Sequence, residues 1–135
     1  MTPVPSAVGL VATDLPRTLA FYRALGLDIP PEADEAPHVD VPLPGGFRLM
    51  IDSVDTIRSF DPGWSAPTGS PRAALAFECE SPAAVDKAYA ALVDAGFDGH
   101  IEPWDAFFGQ RYACLRDPDG TGIDLFAALP DAPSS

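Results

Sequence analysis

Ala7-Val8-Gly9-Leu10-Val11-Ala12-Thr13-Asp14-Leu15-Pro16 and, 67 residues later, Ala74-Leu75-Ala76-Phe77-Glu78-Cys79-Glu80-Ser81-Pro82 begin alike in this 135-residue chain. Each run alternates as a strand, reaches a side chain able to cap a helix, and places proline in the first helical turn. A fixed spacing between similar openings is the signature of an internal repeat. The two openings also continue alike. After the first, Leu15, Leu19, Tyr22 and Leu25 fall on one helical face and Gly26 supplies a left-handed stop. After the second, Val85, Ala88, Tyr89, Leu92 and Val93 fit the i, i+3, i+4, i+7, i+8 pattern, and Gly96 ends the run.

Outward from these openings, residues 4–13 are expected to form the first strand. The acidic, proline-rich run Asp28 to Pro37 reads as a loop. Strands are expected over His38–Leu43 and Phe47–Ser53, joined through Pro44-Gly45-Gly46. Residues 54–71 carry Pro62, Gly63, Pro67, Gly69 and Pro71 and read as a linker, with Phe60 and Trp64 in it. In the second half, strands are expected over His100–Trp104, Gln110–Arg116 and Gly122–Ala127. Asp117-Pro118-Asp119-Gly120 forms a turn between the last two, and a loose tail is expected from Pro130. The expected class is α+β. It comprises one domain, residues 1–135, built from two βαβββ modules at about 4–53 and 72–128. Their curved mixed sheet would carry helices on its convex side and a pocket on its concave side.

Apolar residues make up 47% of the chain, enough for a core, yet no run of them is long enough to span a bilayer. No basic stretch followed by an apolar one opens the chain, so no signal peptide is expected. Cys79 and Cys114 both lie in strand-like runs and read as buried, reduced thiols, which makes the cytoplasm the expected location. A net charge of −12 repels phosphate backbones, so no nucleic-acid partner is expected; it favours solubility and cationic ligands.

Strand alternation divides the site candidates. If Leu75, Phe77 and Cys79 lie under the helices, Ala74, Ala76 and Glu78 face the pocket. By the same rule Ala7, Gly9 and Val11 face it, as do Arg48, Met50 and Asp52, with His38, Asp40, Asp124 and Phe126 placed beside them. The small side chains of both opening strands leave room for a bulky ligand. Trp64, Trp104, Phe107 and Phe108 lie in or near turn-rich segments and are candidate walls, either for a ligand or for a partner subunit. Gln110 and Arg111 come directly after, without a sign of which points inward. His38 with Asp40 reads as a polar pair of the site; a general base with its orienting partner is the alternative. His100 and Glu102 share a strand face, but no third donor is evident, so no metal site is assigned.

Thr13-Asp14-Leu15 with Phe21-Tyr22-Arg23-Ala24-Leu25-Gly26, and Asp117-Pro118-Asp119-Gly120 followed by Ile123-Asp124-Leu125, resemble the vicinal oxygen chelate superfamily. That family includes glyoxalase I, extradiol dioxygenases, fosfomycin-resistance enzymes and bleomycin-resistance proteins. The resemblance covers nearly the whole chain. It implies a metal held by His and Glu from the first and last strand of each half. Those positions are Ala7, Met50, Ala74 and Asp124 here. Alanine has no donor atom, a thioether is too soft for Mg²⁺, Mn²⁺ or Fe²⁺, and one carboxylate does not hold a catalytic ion. The pattern is closer to the small, acidic, metal-free bleomycin-resistance proteins, which trap a cationic drug in a homodimer groove. The resemblance therefore implies a metal-free, cofactor-free binding protein for a cationic or aromatic antibiotic, homodimeric, with no catalytic residues. The alternatives are a lyase- or dioxygenase-type enzyme with relocated ligands, and a dimeric scaffold.

Overall fold

The computed structural model describes residues 2–130. The loose tail expected after Pro130 falls on residues 131–135, outside the described residues. The chain divides into two compact units, residues 1–68 and 69–135. The class is α+β, with one three-stranded and one four-stranded sheet. Among the described residues no helix is long and apolar enough to cross a membrane.

In the first unit β1 (Ala7–Ala12) leads to α1 (Leu15–Ala24), β2 (His38–Pro42), β3 (Arg48–Ser53) and α2 (Val54–Arg58). Asp14 caps α1 by accepting a hydrogen bond from the Arg17 amide at 3.3 Å, and Pro16 sits in the first turn, where an amide would have no partner. Gly26, at φ +107°, ends the helix in the left-handed region. Leu15, Leu19, Phe21 and Tyr22 of α1 are buried, as are Val39, Val41, Leu49 and Ile51 of the sheet. The strand order is β1-β3-β2, with β1 parallel and β2 antiparallel to the central β3.

Two details differ from the expected plan. Two strands come after α1, where the sequence placed them but one fewer than the βαβββ plan, and residues 31–35 of the expected loop wind into a 3-10 turn. Pro30 and Pro31 have no amide hydrogen to offer a ladder. Arg23 pins this loop, donating from Nε to the Ile29 carbonyl at 2.9 Å, from Nη2 to that of Pro30 at 2.7 Å and from Nη1 to Asp34 at 2.8 Å. The expected linker, in turn, begins with the short helix α2. Ser53 caps it through the Thr56 amide at 3.1 Å.

In the second unit β4 (Ala74–Glu78) and α3 (Pro82–Asp94) are followed by β5 (Asp98–Asp105), β6 (Gln110–Arg116) and β7 (Gly122–Ala128). This is the complete βαβββ plan. Ser81 caps α3 through the Ala84 amide at 3.1 Å, with Pro82 at the first helical position. The order is β4-β7-β6-β5, with β4 parallel to β7 and the remaining pairs antiparallel. Val85 and Leu92 of α3 and Ala113, Leu115, Ile123, Leu125 and Ala127 of the sheet form the core. Gly99 marks a close approach: a Cβ there would lie 2.3 Å from the Tyr89 hydroxyl and 2.9 Å from Val93. Asp117 shapes the turn before β7, its Oδ1 accepting from the amides of Asp119 and Thr121, both at 2.9 Å.

Candidate functional site

In both units the sheet has one buried face and one face whose side chains are half-buried or exposed. Register assigns the second face. In the first unit it carries Ala7, Gly9 and Val11, opposite Arg48, Met50 and Asp52; His38 lies opposite Asp52, and Asp40 opposite Met50. In the second unit it carries Ala74, Ala76 and Glu78, opposite Gly122, Asp124 and Phe126. Tyr112 then lies opposite Phe126, Cys114 opposite Asp124, and Trp104 opposite Tyr112.

The first face is ionic. His38 Nδ1 lies 2.5 Å from Asp52 Oδ1, and Arg48 Nη1 donates to Asp40 Oδ2 at 2.5 Å. The expected His38–Asp40 pair is therefore replaced by two pairs across strands. His38 stands directly opposite Asp52, about 5 Å away and closer than the nearly 7 Å to its same-face neighbour Asp40, whereas Arg48, opposite Pro42, reaches Asp40 diagonally with its long side chain. Met50 sits between the two pairs. Trp64 is not on this face. It lies in the segment after α2, where Arg58 donates from Nε to its carbonyl at 3.1 Å and places its guanidinium 5.9 Å from its ring centre.

The second face is aromatic, and Tyr112 is its centre. The rings of Phe108, Trp104 and Phe126 lie 5.2, 5.7 and 6.4 Å from that of Tyr112, the first two edge-on and the third nearly parallel. Phe107 packs edge-on to Phe108 at 5.2 Å and is 99% exposed at the tip of the β5–β6 hairpin. The Tyr112 hydroxyl donates to Asp124 Oδ2 at 2.7 Å, and Cys114 stands directly opposite Asp124 on the neighbouring strand. Burial first, and then that carboxylate, hold the Tyr112 proton well above the usual phenol range. The same two causes push the Cys114 thiol up to about 11. At neutral pH both groups thus remain donors, and Cys114 is not a nucleophile. Cys79 is also a free thiol pushed up by burial.

Arg111 points to the other side of the sheet. It donates to Asp86 of α3 at 2.9 Å and to Asp105 of β5 at 3.1 Å, which ties the hairpin to the helix. Strand β5 is bulged on both sides of Ile101, so the simple alternation that put His100 and Glu102 on one face does not hold along it.

Tyr112 and Cys114 are the site residues that alternation along Gln110–Arg116 had not singled out. Their signal was present: Ala113 and Leu115 are the apolar phase of that strand, which leaves Tyr112 and Cys114 on the face of Asp124.

The donor set does not suit a resident metal. Met50 stands opposite Gly9, and Asp124 opposite Ala76, so the family's ligand positions offer one carboxylate in two sheets. That carboxylate already accepts from the Tyr112 hydroxyl. Among the described residues no three His, Cys, Asp or Glu side chains come together as a candidate metal site.

Several solved structures share this architecture. A glyoxalase/bleomycin resistance protein/dioxygenase from Nocardioides is 25% identical with a TM-score of 0.73, over 100% of this chain and 90% of that one. A glyoxalase/bleomycin resistance protein/dioxygenase family enzyme from Burkholderia phytofirmans PsJN is 18% identical with a TM-score of 0.78, over 92% and 98%. A lactoylglutathione lyase from Agrobacterium tumefaciens is 19% identical with a TM-score of 0.64, over 93% and 94%. No curated protein matches the sequence. Residues 5–125 match the sequence model of the Glyoxalase/Bleomycin resistance protein/Dioxygenase superfamily, and the chain belongs to that superfamily.

Proposed function

We propose that this chain is a metal-free binding protein of the bleomycin-resistance type, sequestering an aromatic or cationic small molecule of the antibiotic class. One observation carries the reading. Trp104, Phe108 and Phe126 gather around Tyr112 beside the carboxylate of Asp124, with two small side chains, Ala74 and Ala76, on the neighbouring strand. Aromatic rings offer flat apolar contact, and a carboxylate among them attracts a cation where water is partly excluded. Elemental analysis and ligand titration test it together. The expected result is no stoichiometric metal, and saturable quenching of tryptophan fluorescence by at least one planar aromatic cation below about 100 μM. About one Zn, Ni, Mn or Fe per chain would favour the lyase- or dioxygenase-type enzyme instead; a panel without a single binder would end the sequestration reading.

We further propose that the working form is a homodimer. Exposed apolar side chains at Phe60, Ile101 and Phe107 support this, since large apolar groups left in water favour association. Light scattering at micromolar concentration is expected to return twice the chain mass; a monomer alone would overturn it.

A further inference from the structure

We infer that Tyr112 is a positioning residue. Its hydroxyl fixes Asp124 so that the site selects cations carrying an N–H donor over cations without one. The inference rests on the ligand-binding reading above and adds the ligand's chemistry to it.

Four carboxylates of the sheets and α3 give the contrast; Glu78, Asp94, Asp98 and Glu102 of the same elements form no ion pair. Asp40 faces Arg48, Asp52 faces His38, and Asp86 and Asp105 share Arg111. Each of these carboxylates has a basic side chain of the same chain as its partner. Asp124 is held differently. Its hydrogen-bond partner is the neutral hydroxyl of Tyr112, and the neutral thiol of Cys114 stands opposite it. Neutral donors orient a carboxylate and offset part of its lost hydration without cancelling its charge. Arg116 lies two residues beyond Cys114 on the same face, opposite Gly122, and makes no ion pair with Asp124. The negative charge therefore stays available to a ligand.

Geometry explains why tyrosine does this. Tyr112 stands opposite Phe126, one same-face position along from the partner of Asp124, so it reaches the carboxylate diagonally, within the span of a phenol. Its ring is held from one side by Trp104 and Phe108 and from the other by Phe126. The hydroxyl cannot swing away without breaking those contacts. An ionised carboxylate has about four acceptor positions, of which Tyr112 takes one. The rest suit an ammonium, amidinium or protonated ring nitrogen. A quaternary cation has no hydrogen to place there.

Three dyes of similar shape separate these contributions: acridine, neutral at mildly alkaline pH; N-methylacridinium, a cation without N–H; and 9-aminoacridinium, a cation with N–H. The full chain is expected to bind 9-aminoacridinium about tenfold tighter than N-methylacridinium, and acridine least. Tyr112→Phe should bring the two cations to within about twofold of each other. Asp124→Asn should bring all three together. Equal binding of the three dyes by the parent protein would overturn the inference and leave the aromatic site standing. A Tyr112→Phe protein that keeps the parent's preference between the cations would overturn the role of Tyr112. If no dye binds, the ligand-binding reading fails and the inference with it. Circular dichroism of both variants confirms that the fold is intact, and the parent's dye ranking tests the N–H selection without any variant.

Discussion

Leu125→Ala is expected to destabilise the second unit by about 2–5 kcal/mol. Leu125 is 1% exposed and lies on β7, an inner strand of its sheet. Phe77 stands opposite it on β4 and Ala113 on β6, with α3 packed over the same sheet. Removing three carbons there forfeits their transfer from water and leaves a cavity that strands fixed on both sides cannot close. The effect matters for function because Asp124 and Phe126 flank Leu125 and emerge on the opposite face. A softened β7 loosens both. Urea unfolding should show a lower midpoint with an unchanged slope. A loss below about 1 kcal/mol would mean that the site tolerates collapse, and the description of a tightly packed inner strand would be wrong.

The contrast between this strand and its neighbours explains how much of the protein was legible in its sequence. Alternation along β3, β4 and β7 gave the correct faces, since Leu49, Ile51, Ile123 and Leu125 announce the buried phase by their chemistry. The caps Asp14 and Ser81 were legible for the same reason: a short oxygen-bearing side chain before an apolar-periodic run has one common use. Pairings across strands were not legible. His38 and Asp40 are neighbours on one strand face, and only the register of β2 on β3 reveals that Asp52 stands opposite His38 and that Arg48 lies diagonal to Asp40, within reach of its long side chain. Register depends on where a turn closes, which alternation does not encode. Helix α2 escaped because five residues are too few to show a period. The bulges in β5 shift the phase midway, so that regular spacing misleads there.

Register also relates the two units to each other. Ala7 pairs with Arg48 as Ala74 pairs with Gly122, so Met50 corresponds to Asp124, Asp52 to Phe126, and His38 to Tyr112. One strand scaffold thus presents two chemistries. The first unit pairs acidic with basic side chains across strands; the second gathers rings around the tyrosine that holds Asp124. That difference, and not the shared fold, directs the functional reading to the second unit.

It also identifies the substitution that should abolish ligand binding. Ala76 is exposed and stands directly opposite Asp124 in the parallel β4–β7 pair, on the same face. Ala76→Phe would place a ring across the carboxylate, so a ligand that needs Asp124 should lose at least about tenfold in affinity. The fold should hold, since β4 is an edge strand, position 76 is open, and aromatic residues suit strands. Stability should stay within about 0.5 kcal/mol of the parent. Ala74→Phe makes the comparison informative. Ala74 faces Gly122, two positions from Asp124, and its Cβ lies 3.1 Å from where a side chain on that glycine would begin. A ring at position 74 is therefore expected to weaken binding less than one at 76. Titration of both variants with a dye that the parent protein binds gives the ranking. Should Ala76→Phe bind as tightly as the parent, the ligand does not use this face of the sheet, and the aromatic cluster around Tyr112 serves another purpose.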